Sequence, residues 1–365
     1  MPHKMVRMAL RLLLLPLLLA CTAARAAPPL DKIRLPEGFR ISVYAEDMPG
    51  ARMLAFGSRG TLFVGSRGDK VYALPPGGGN ARVIASGLRS PNGVAFRDGS
   101  LYVTEVGRLL RFEGIEERLD KPPAPVVVTE LPNAGHHGLK TIHFGPDGLL
   151  YIGIGSPCNV CTPSEPYGTI SRLDVASPRK LDVYARGIRN SEGFDWAPKS
   201  NDLWFTENGR DNLGDDLPAD ELNRAPHAGM NFGFPYCHAG RIPDPRYGGE
   251  RSCGDFTPPA RALGPHVAPL GMRFYRADKF PAKYRGAIFI AEHGSWNRSQ
   301  KIGYRVTVVT GLANKTPAYE PFAEGWLQGE SEWGRPVDVI VAPDGALLVS
   351  DDKTGTVYRI DYSGR

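Results

Sequence analysis

The segment from Ile142 to Ile152 reads IHFGPDGLLYI, which is the pattern of two short β-strands joined by a tight turn. Apolar residues flank an Asp-Gly pair, and this dipeptide is a strong signal for a β-hairpin. Related phrases, each with apolar residues around a turn, occur at five other places, beginning at Leu54, Val94, Phe194, Gly271 and Val339. The copy at Gly271 is degenerate. Six hairpins therefore recur along the chain.

The spacing of these copies suits a four-stranded repeat. The reference leucines Leu62, Leu101, Leu150 and Leu203 lie roughly 40–55 residues apart, close to the length of a propeller blade. The 43 glycines and 33 prolines fit a chain with many turns, and no amphipathic helical run competes. We therefore predict an all-β fold, a six-bladed β-propeller formed by residues 27–365 as one domain.

One interval between the repeats is longer than the others. It contains a stretch rich in Gly, Asp and Pro, from Glu207 to Pro269. We interpret this stretch as a long functional loop inserted between blades 4 and 5, since long loops in compact domains often carry function. Its acidic residues either bind a cation or keep the loop hydrated, and we favour hydration for most of them.

The first 26 residues have the features of an export signal. Lys4, Arg7 and Arg11 precede the apolar run Leu12–Ala20, and Ala24-Arg25-Ala26 offers a cleavage site. The alternative is a lipoprotein leader that ends at Cys21, because Leu18-Leu19-Ala20-Cys21 resembles a lipobox. The apolar run is too short to span a bilayer, and no later segment is long enough. We expect a periplasmic or secreted protein without a transmembrane span, or an outer-membrane lipoprotein if Cys21 carries a lipid anchor.

The charge of the chain argues against nucleic acid as a partner. The net charge of +5 comes largely from the leader, which holds four cations and leaves 40 of the 44 Lys and Arg residues against 39 Asp and Glu. A nearly neutral domain has no global field that would attract a polyanion.

The cysteines agree with export. Four follow the leader, and an even number in an oxidising compartment predicts two disulfides, with Cys158–Cys161 and Cys237–Cys253 as the local pairing. The alternative for Cys158 and Cys161 is half of a zinc site. No second Cys-x-x-Cys or spaced His pair is present to complete such a site.

Four motifs follow one another in a fixed order: Gly135-His136-His137-Gly138 ahead of Gly145-Pro146-Asp147, then Arg189-Asn190, then Gly209-Arg210, then Trp333-Gly334-Arg335. In this order, on a six-repeat chain, they resemble the pyrroloquinoline quinone (PQQ)-dependent sugar dehydrogenases of the glucose/sorbosone dehydrogenase family. The similarity runs from about Leu35 to Tyr362. It implies a six-bladed propeller that holds PQQ and Ca²⁺ at one mouth of the ring.

The resemblance places the catalytic base at His137. The family's histidine stands eight positions before the glycine of Gly-Pro-Asp, and counting back from Gly145 reaches His137. An imidazole is well suited to take the proton of a hydroxyl group during oxidation. His136 is the first alternative, and His143, within the strand, is expected to be structural.

The family's cofactor contacts fall on Arg189, Asn190 and Arg335. An Arg fork matches the carboxylates and quinone oxygens of PQQ, and an Asn amide adds a donor. The second arginine of the family's Arg-x-Arg pair is Val337 in this chain, and Lys140, His293 and Arg298 are the candidates to replace it. Glu192 stands where some members have Gln. Trp296 is a candidate to stack on PQQ or a sugar, or to be a core or rim residue.

The metal site that the resemblance implies uses backbone oxygens. Ca²⁺ prefers hard oxygen ligands, including carbonyls, and Gly209 and Arg210 occupy the family's ligand positions. The implied reaction is oxidation of a sugar or related alcohol by hydride transfer to PQQ. The electrons would pass to an external periplasmic acceptor, a cytochrome or a quinone, because no Cys-x-x-Cys-His motif attaches a haem to this chain.

Two other functions fit a six-bladed propeller. One is a calcium-dependent lactonase, which would need side-chain carboxylate and Asn ligands converging on the axis. The other is a non-catalytic binding propeller, which would explain the repeats but not the ordered motifs. A nicotinamide cofactor has no support, because no Gly-x-Gly-x-x-Gly follows a strand and opens a helix.

Overall fold

A computed structural model of the protein describes residues 27–364, which form β-strands and four short 3₁₀-helices and contain no α-helix. The predicted leader 1–26, with Cys21, lies outside the described residues. Within residues 27–364 no helix is long and apolar enough to cross a membrane. The 3₁₀-helices are Leu30–Lys32, Ile115–Glu117, Cys253–Asp255 and Ala282–Tyr284.

The strands alternate with short turns along the whole described chain. The first thirteen are β1 (Phe39–Ala45), β2 (Ala51–Phe56), β3 (Leu62–Ser66), β4 (Val71–Leu74), β5 (Arg82–Ala85), β6 (Val94–Arg97), β7 (Ser100–Thr104), β8 (Arg108–Glu113), β9 (Val126–Glu130), β10 (Ile142–Phe144), β11 (Leu150–Ile154), β12 (Thr169–Leu173) and β13 (Asp182–Arg186). The next seven are β14 (Phe194–Trp196), β15 (Leu203–Glu207), β16 (Ala219–Ala225), β17 (Met230–Asn231), β18 (Cys237–His238), β19 (Ile242–Pro243) and β20 (Arg261–Pro265). The last nine are β21 (Pro269–Phe274), β22 (Ile288–Glu292), β23 (Arg305–Thr310), β24 (Ala318–Ala323), β25 (Leu327–Gln328), β26 (Ser331–Glu332), β27 (Pro336–Val341), β28 (Leu347–Asp351) and β29 (Thr356–Tyr362).

These strands form six blades, each built on an antiparallel four-stranded sheet. From the axis outward the blades are β2-β3-β4-β5, β6-β7-β8-β9, β10-β11-β12-β13, β14-β15-β16-β20, β21-β22-β23-β24 and β27-β28-β29-β1. The ring closes because the N-terminal strand β1 pairs with β29, with Phe39 opposite Tyr362. The prediction of an all-β, six-bladed propeller is confirmed, and each predicted hairpin supplies the two innermost strands of one blade.

The predicted loop insertion between blades 4 and 5 was wrong in its position. Residues 266–268 alone connect β20 to β21, so the connection between these blades is short. The extra residues, 226–260, lie within blade 4, between its third strand β16 and its outermost strand β20. The Cys237–Cys253 disulfide closes this segment, and Cys158–Cys161 is also bonded, so both predicted pairings are confirmed.

The core lies between neighbouring blades. Strands β3, β11, β15, β22 and β28, each second from the axis, are buried along their whole length. Both faces of these strands pack on adjacent blades, and each fully buried large apolar side chain contributes roughly 1.5–3 kcal/mol. This packing fixes the ends of the inner strands, and the loops at one of these ends carry the site described below.

Candidate active site

A cavity of about 440 Å³ opens at one mouth of the ring. Its walls are segments that enter the innermost strand of a blade or leave the second strand. The sequence-predicted residues that line the cavity are His137, Arg189, Asn190, Gly209, His293 and Arg335. Residues from four blades, the third to the sixth, therefore meet in one place, which their spacing along the chain could not show directly.

The imidazole ring of His137 is oriented by a hydrogen bond from one of its nitrogens to the backbone. Its Nδ1 lies 2.7 Å from the carbonyl oxygen of Ser156, and since a carbonyl can only accept, Nδ1 carries the hydrogen. The Nε2 atom of the neutral ring is then a free proton acceptor. Burial, and then the charge of Arg189, lower the pKa of His137 to about 3. The site therefore keeps this imidazole neutral.

The fit around His137 is close. A side-chain carbon at Gly155 would lie 2.5 Å from the Cβ atom of His137, so only glycine leaves room for the imidazole. His136 is exposed and meets the His137 ring edge-on at 4.6 Å. His143 lies in β10 with its ring against Phe194, away from this cavity.

We expect His137 to stay neutral between pH 5 and pH 8 in the protein without cofactor. An ordinary histidine, with a pKa near 6.5, would take up a proton over this range. Because the unfolded chain binds that proton and the folded chain does not, His137 lowers the stability of the fold as the pH falls below about 6.5. NMR titration of the histidine ring signals, assigned with His137→Gln, checks this. A midpoint near pH 6.5 for His137 would contradict it.

Arg189 is buried, and four of its five guanidinium N–H groups donate hydrogen bonds within the chain. Its Nη2 donates to the carboxylate of Asp211 at 2.6 Å and to Oδ1 of Asn159 at 2.9 Å. Its Nε donates to the carbonyl of Asn159 at 2.9 Å, and its Nη1 donates to the carbonyl of Asn208 at 3.1 Å. The guanidinium plane is therefore fixed at the cavity wall before any ligand binds.

Arg52 is a cavity residue that the sequence analysis missed. It is buried at the start of β2, and its guanidinium donates to Glu192 and, at 3.0 Å, to Asp352. Its Nε donates to Oδ1 of Asn92 at 2.5 Å. The ion pair with Arg52 compensates the carboxylate of Glu192, so this residue does not confront a ligand as a bare negative charge.

The same network reaches His293. Its Nε2 donates to Oδ1 of Asp352 at 2.9 Å. Burial would raise the pKa of Asp352, but the hydrogen bond from His293 and the charges of His293 and Arg52 hold it well below its usual value. Burial lowers the pKa of His293 itself. Of the three candidates to replace the second arginine, His293 is the one that faces the cavity.

Arg335 is half-buried and differs from the two buried arginines of the cavity, Arg52 and Arg189. Its Nε and Nη2 donate to the carbonyl oxygens of His293 and Gly294, both at 3.1 Å, and its guanidinium lies 5.5 Å from the ring centre of Tyr304. Among residues 27–364, no carboxylate lies within ion-pair distance of it. Val337 is fully buried in an apolar cluster and does not reach the cavity.

Lys140 and Arg298 do not line the cavity, so the structure does not support them as cofactor ligands. The Nζ atom of Lys140 donates to the carbonyls of Val106 at 2.7 Å and Gly138 at 3.0 Å. Burial lowers the pKa of Lys140 to about 8. Arg298 bonds to the carbonyl of Asp215 instead, at the outer side of the rim. Both side chains are therefore used to hold loops.

Gly209 lines the cavity, and its N–H donates to Oδ1 of Asp220 at 2.8 Å. The side chain of Arg210 turns away to pair with Asp244 at 2.5 Å. Among the described residues, no hydrogen bond reaches the carbonyl oxygens of Gly209 or Arg210. These two oxygens are free for a hard cation. No group of three or more His, Cys, Asp or Glu residues in 27–364 is placed to hold a metal ion.

Two buried acids behind this loop, Glu207 and Asp220, accept hydrogen bonds from the backbone and are not hydrated surface groups. Glu207 accepts from the N–H of Arg189 at 2.9 Å, and Oδ2 of Asp220 accepts from the N–H of Ala268 at 2.8 Å. Burial raises the pKa of Glu207 to about 7 and the pKa of Asp220 well above its usual value. They fix the two segments that carry Arg189 and Gly209.

Trp296 stands at the rim of the cavity. It is 71% exposed, which is unusual for so large an apolar side chain, and its neighbour Asn297 donates to Asp211 at 3.2 Å. The loop that presents this ring is thereby tied to the wall that contains Arg189. The structure thus places Trp296 at the rim and not in the core.

Comparison with known proteins gives relatives along most of the chain. An uncharacterised protein of Borreliella burgdorferi is 32% identical over 351 residues, covering 90% of this chain and 91% of the relative. The pyrroloquinoline quinone-dependent pyranose dehydrogenase of Coprinopsis cinerea is 22% identical over 92% of this chain. This chain spans only 55% of the length of the Coprinopsis protein.

Solved structures share the fold. A Trichoderma reesei member of carbohydrate-active enzyme family AA12, solved with iodide, superposes with a TM-score of 0.79 at 20% identity, over 91% of this chain and 98% of that chain. The holo form of the Coprinopsis PQQ domain superposes with a TM-score of 0.76 at 19% identity, over 90% of this chain and 97% of that chain. Residues 33–363 match the TrAA12-like family, and the chain belongs to that family, whose relatives include PQQ-dependent sugar dehydrogenases.

Proposed function

We propose that the protein is a PQQ- and calcium-dependent dehydrogenase that oxidises a sugar at the cavity described above. The observation that carries the proposal is the donor set: two buried arginines and Arg335 surround the neutral imidazole of His137 in one cavity. The pyranose dehydrogenase of Coprinopsis is named as PQQ-dependent, which supports the same cofactor for this chain.

The residues of the cavity fit PQQ, a flat molecule with three carboxylates and two adjacent quinone carbonyls. Arg335 has no carboxylate partner in the described part of the chain, so an anionic ligand would supply one. Arg189 keeps one N–H of Nη1 that is not used within residues 27–364, and Asn190 adds a side-chain amide at the cavity. Bound PQQ would supply the electron-accepting quinone, and the protein supplies binding and orientation.

Ca²⁺ would lie at the free carbonyl oxygens of Gly209 and Arg210. Two backbone ligands leave most of the coordination sphere to the cofactor and to water, which suits a cation that takes six to eight oxygen ligands. A Trichoderma AA12 structure was solved with calcium, and it shares the fold of this chain with a TM-score of 0.78 at 21% identity. We expect Ca²⁺ to bind at these two oxygens together with the anionic cofactor, which would supply further ligands to the cation.

His137 would accept the hydroxyl proton of the sugar. Its Nε2 is unprotonated because Nδ1 donates to Ser156, and its low pKa keeps it ready as an acceptor at neutral pH. Trp296 would cover one face of a sugar ring at the rim. The electrons would leave to an external acceptor, a cytochrome or a quinone. The two disulfides fit export to the periplasm or beyond.

The two alternatives are less well supported. A lactonase of this shape would need carboxylate ligands converging on the axis, but the axial carboxylates of Glu192 and Asp352 are already paired with Arg52. A non-catalytic propeller would not require a neutral histidine fitted against Gly155, or an arginine fixed in advance by four hydrogen bonds.

Reconstitution tests the proposal. We expect the purified protein to bind PQQ in calorimetry, and to reduce a dye with an aldose only when PQQ and Ca²⁺ are both present. A chelator should abolish dye reduction, and added Ca²⁺ should restore it. The matched control is Arg335→Met, which should weaken PQQ binding. Dye reduction with NAD or a flavin alone, or no PQQ binding by the folded protein, would refute the proposal.

A further inference from the structure

The four-residue loop Cys158–Cys161 lies directly behind the candidate active site. Its disulfide closes a ring across a sequence separation of 3, and the ring contains Asn159 and Val160. Asn159 is the residue that holds Arg189 from behind. It accepts from Nε of Arg189 with its carbonyl at 2.9 Å, and from Nη2 with its side-chain oxygen at 2.9 Å.

The same side chain also holds the segment that follows the metal-site candidates. Oδ1 of Asn159 accepts from the N–H of Asp211 at 3.0 Å, and Nδ2 of Asn159 donates to the carbonyl of Asp211 at 3.4 Å. Asp211 in turn pairs with Arg189 at 2.6 Å. One residue of the ring therefore fixes both the guanidinium and the loop that begins at Gly209.

The sulfur atoms touch the support of His137 as well. The hydroxyl of Ser156 lies 3.2 Å from Sγ of Cys158 and 3.8 Å from Sγ of Cys161. The carbonyl of this same Ser156 accepts from Nδ1 of His137 at 2.7 Å. Two functional side chains, His137 and Arg189, are thus positioned through one small covalent ring.

Stabilisation of the whole fold does not account for this ring. A disulfide restricts the unfolded chain more when it closes a longer loop, and the sequence separation here is 3, against 16 for Cys237–Cys253. Neither disulfide lines the cavity itself. The short ring contributes little loop-closure entropy, yet the carbonyl group and both side-chain polar atoms of Asn159 are directed at Arg189 or Asp211.

We infer that the Cys158–Cys161 ring is a positioning element for the reaction, with Asn159 as the positioning residue that orients Arg189. This inference rests on the proposed function of the site. Without the disulfide, the segment 158–161 would lose the constraint that sets the direction of Asn159. The guanidinium would keep Asp211 as a partner but lose two of its four acceptors, so it would no longer be fixed in one plane.

Three variants test the inference: Cys158→Ser with Cys161→Ser, Asn159→Ala, and Val160→Ala as a control within the ring. The double serine variant and Asn159→Ala should bind PQQ about 10-fold to 100-fold more weakly, since hydrogen bonds to a charged group and its outer contacts are lost. Val160→Ala should bind PQQ like the unmodified protein. Cys237→Ser with Cys253→Ser should lower the melting temperature more than the first pair does, and change PQQ affinity less.

A readout without PQQ separates this inference from the proposed function. In the cofactor-free protein the Nε–Hε signal of Arg189 should exchange slowly with water, and Asn159→Ala should make this exchange at least 10-fold faster. Unchanged exchange and unchanged PQQ affinity in the folded double serine variant would overturn the inference. So would an equal loss of affinity in the Cys237 and Cys253 variant. If the unmodified protein does not bind PQQ, the proposed function fails and the exchange rate alone decides.

Discussion

The PQQ-loaded His137→Ala variant is expected to oxidise sugar about 10²–10⁴-fold more slowly than the unmodified protein, the usual contribution of a positioned acid–base group. The loss should fall on kcat, because His137 would act on the hydroxyl proton and not hold the cofactor. Arg189, Asn190 and Arg335 remain to bind PQQ in the variant. Steady-state kinetics, together with calorimetric PQQ titration, measure the two effects separately.

Gly155→Ala provides a second variant, one that retains the imidazole of His137 but displaces it. The added methyl group would lie 2.5 Å from the Cβ atom of His137 and 2.8 Å from Oδ1 of Asn190, so the ring must move. We expect a loss of kcat in the same direction. His136→Ala removes an exposed ring and should have a smaller effect. Normal turnover in His137→Ala would show that His137 is not the base. If only His136→Ala were inactive, His136 would be the base instead.

The fold could be predicted from the sequence because the same burial requirement recurs in every blade. Every inner hairpin must bury both faces between neighbours, so the apolar pattern around the turn survives at Leu54, Val94 and Ile142. Hairpin register is local, and Val94 pairs with Val103 as the phrase predicts. The closure of the ring by β1 and the extra segment inside blade 4 depend on long-range pairing, which no local phrase encodes.

Residues of the candidate site could be predicted from the sequence only where they belong to a recognisable motif. A comparison of the six repeats offers a further signal. The innermost strands align on the core residues Leu54, Val94, Ile142, Phe194, Met272 and Val339, and the informative position lies two residues before each of them. At this position the six blades carry, in order, Arg52, Asn92, Lys140, Glu192, Leu270 and Val337. In the blade next to that of Val337, this repeat position holds Arg52, whose buried guanidinium lines the cavity. Aligning the repeats on their core residues would have found it.

Lys140 and Arg298 are directed away from the cavity for a different reason. Lys140 shares the repeat position of Arg52, but its Nζ turns back to the carbonyls of Val106 and Gly138. Arg298 lies two residues beyond Trp296, and there it bonds to the backbone of Asp215. Residue type and position along the chain do not determine which way a long flexible side chain points, because nearby carbonyl groups compete with the cavity for it.

Arg52→Met is expected to lower the free energy of unfolding by about 3–5 kcal/mol, the usual result of removing one partner from a buried ion pair. Arg52 is buried between Glu192, which precedes blade 4, and Asp352, which follows the second strand of blade 6. Its removal would leave two carboxylates in the interior without their cation. Urea unfolding followed by circular dichroism measures the change, and Arg52→Lys, which keeps the charge but not the fork, should lie between.

The pH dependence identifies the cause of this loss. The folded-state pKa of Asp352 lies below its ordinary value, so in the unmodified protein this residue adds stability at neutral pH that disappears as the pH falls. Without Arg52 the hydrogen bond from His293 remains, but one of the charges that lower the pKa of Asp352 is lost, so this pKa should rise and ionised Asp352 should add less stability at neutral pH. Because this contribution disappears in both proteins once Asp352 is protonated, the difference between them should shrink as the pH falls into the acid range. A difference that stays constant would mean that packing, and not charge, explains the loss, and the triple variant Arg52→Met, Glu192→Gln, Asp352→Asn should then be no more stable than Arg52→Met.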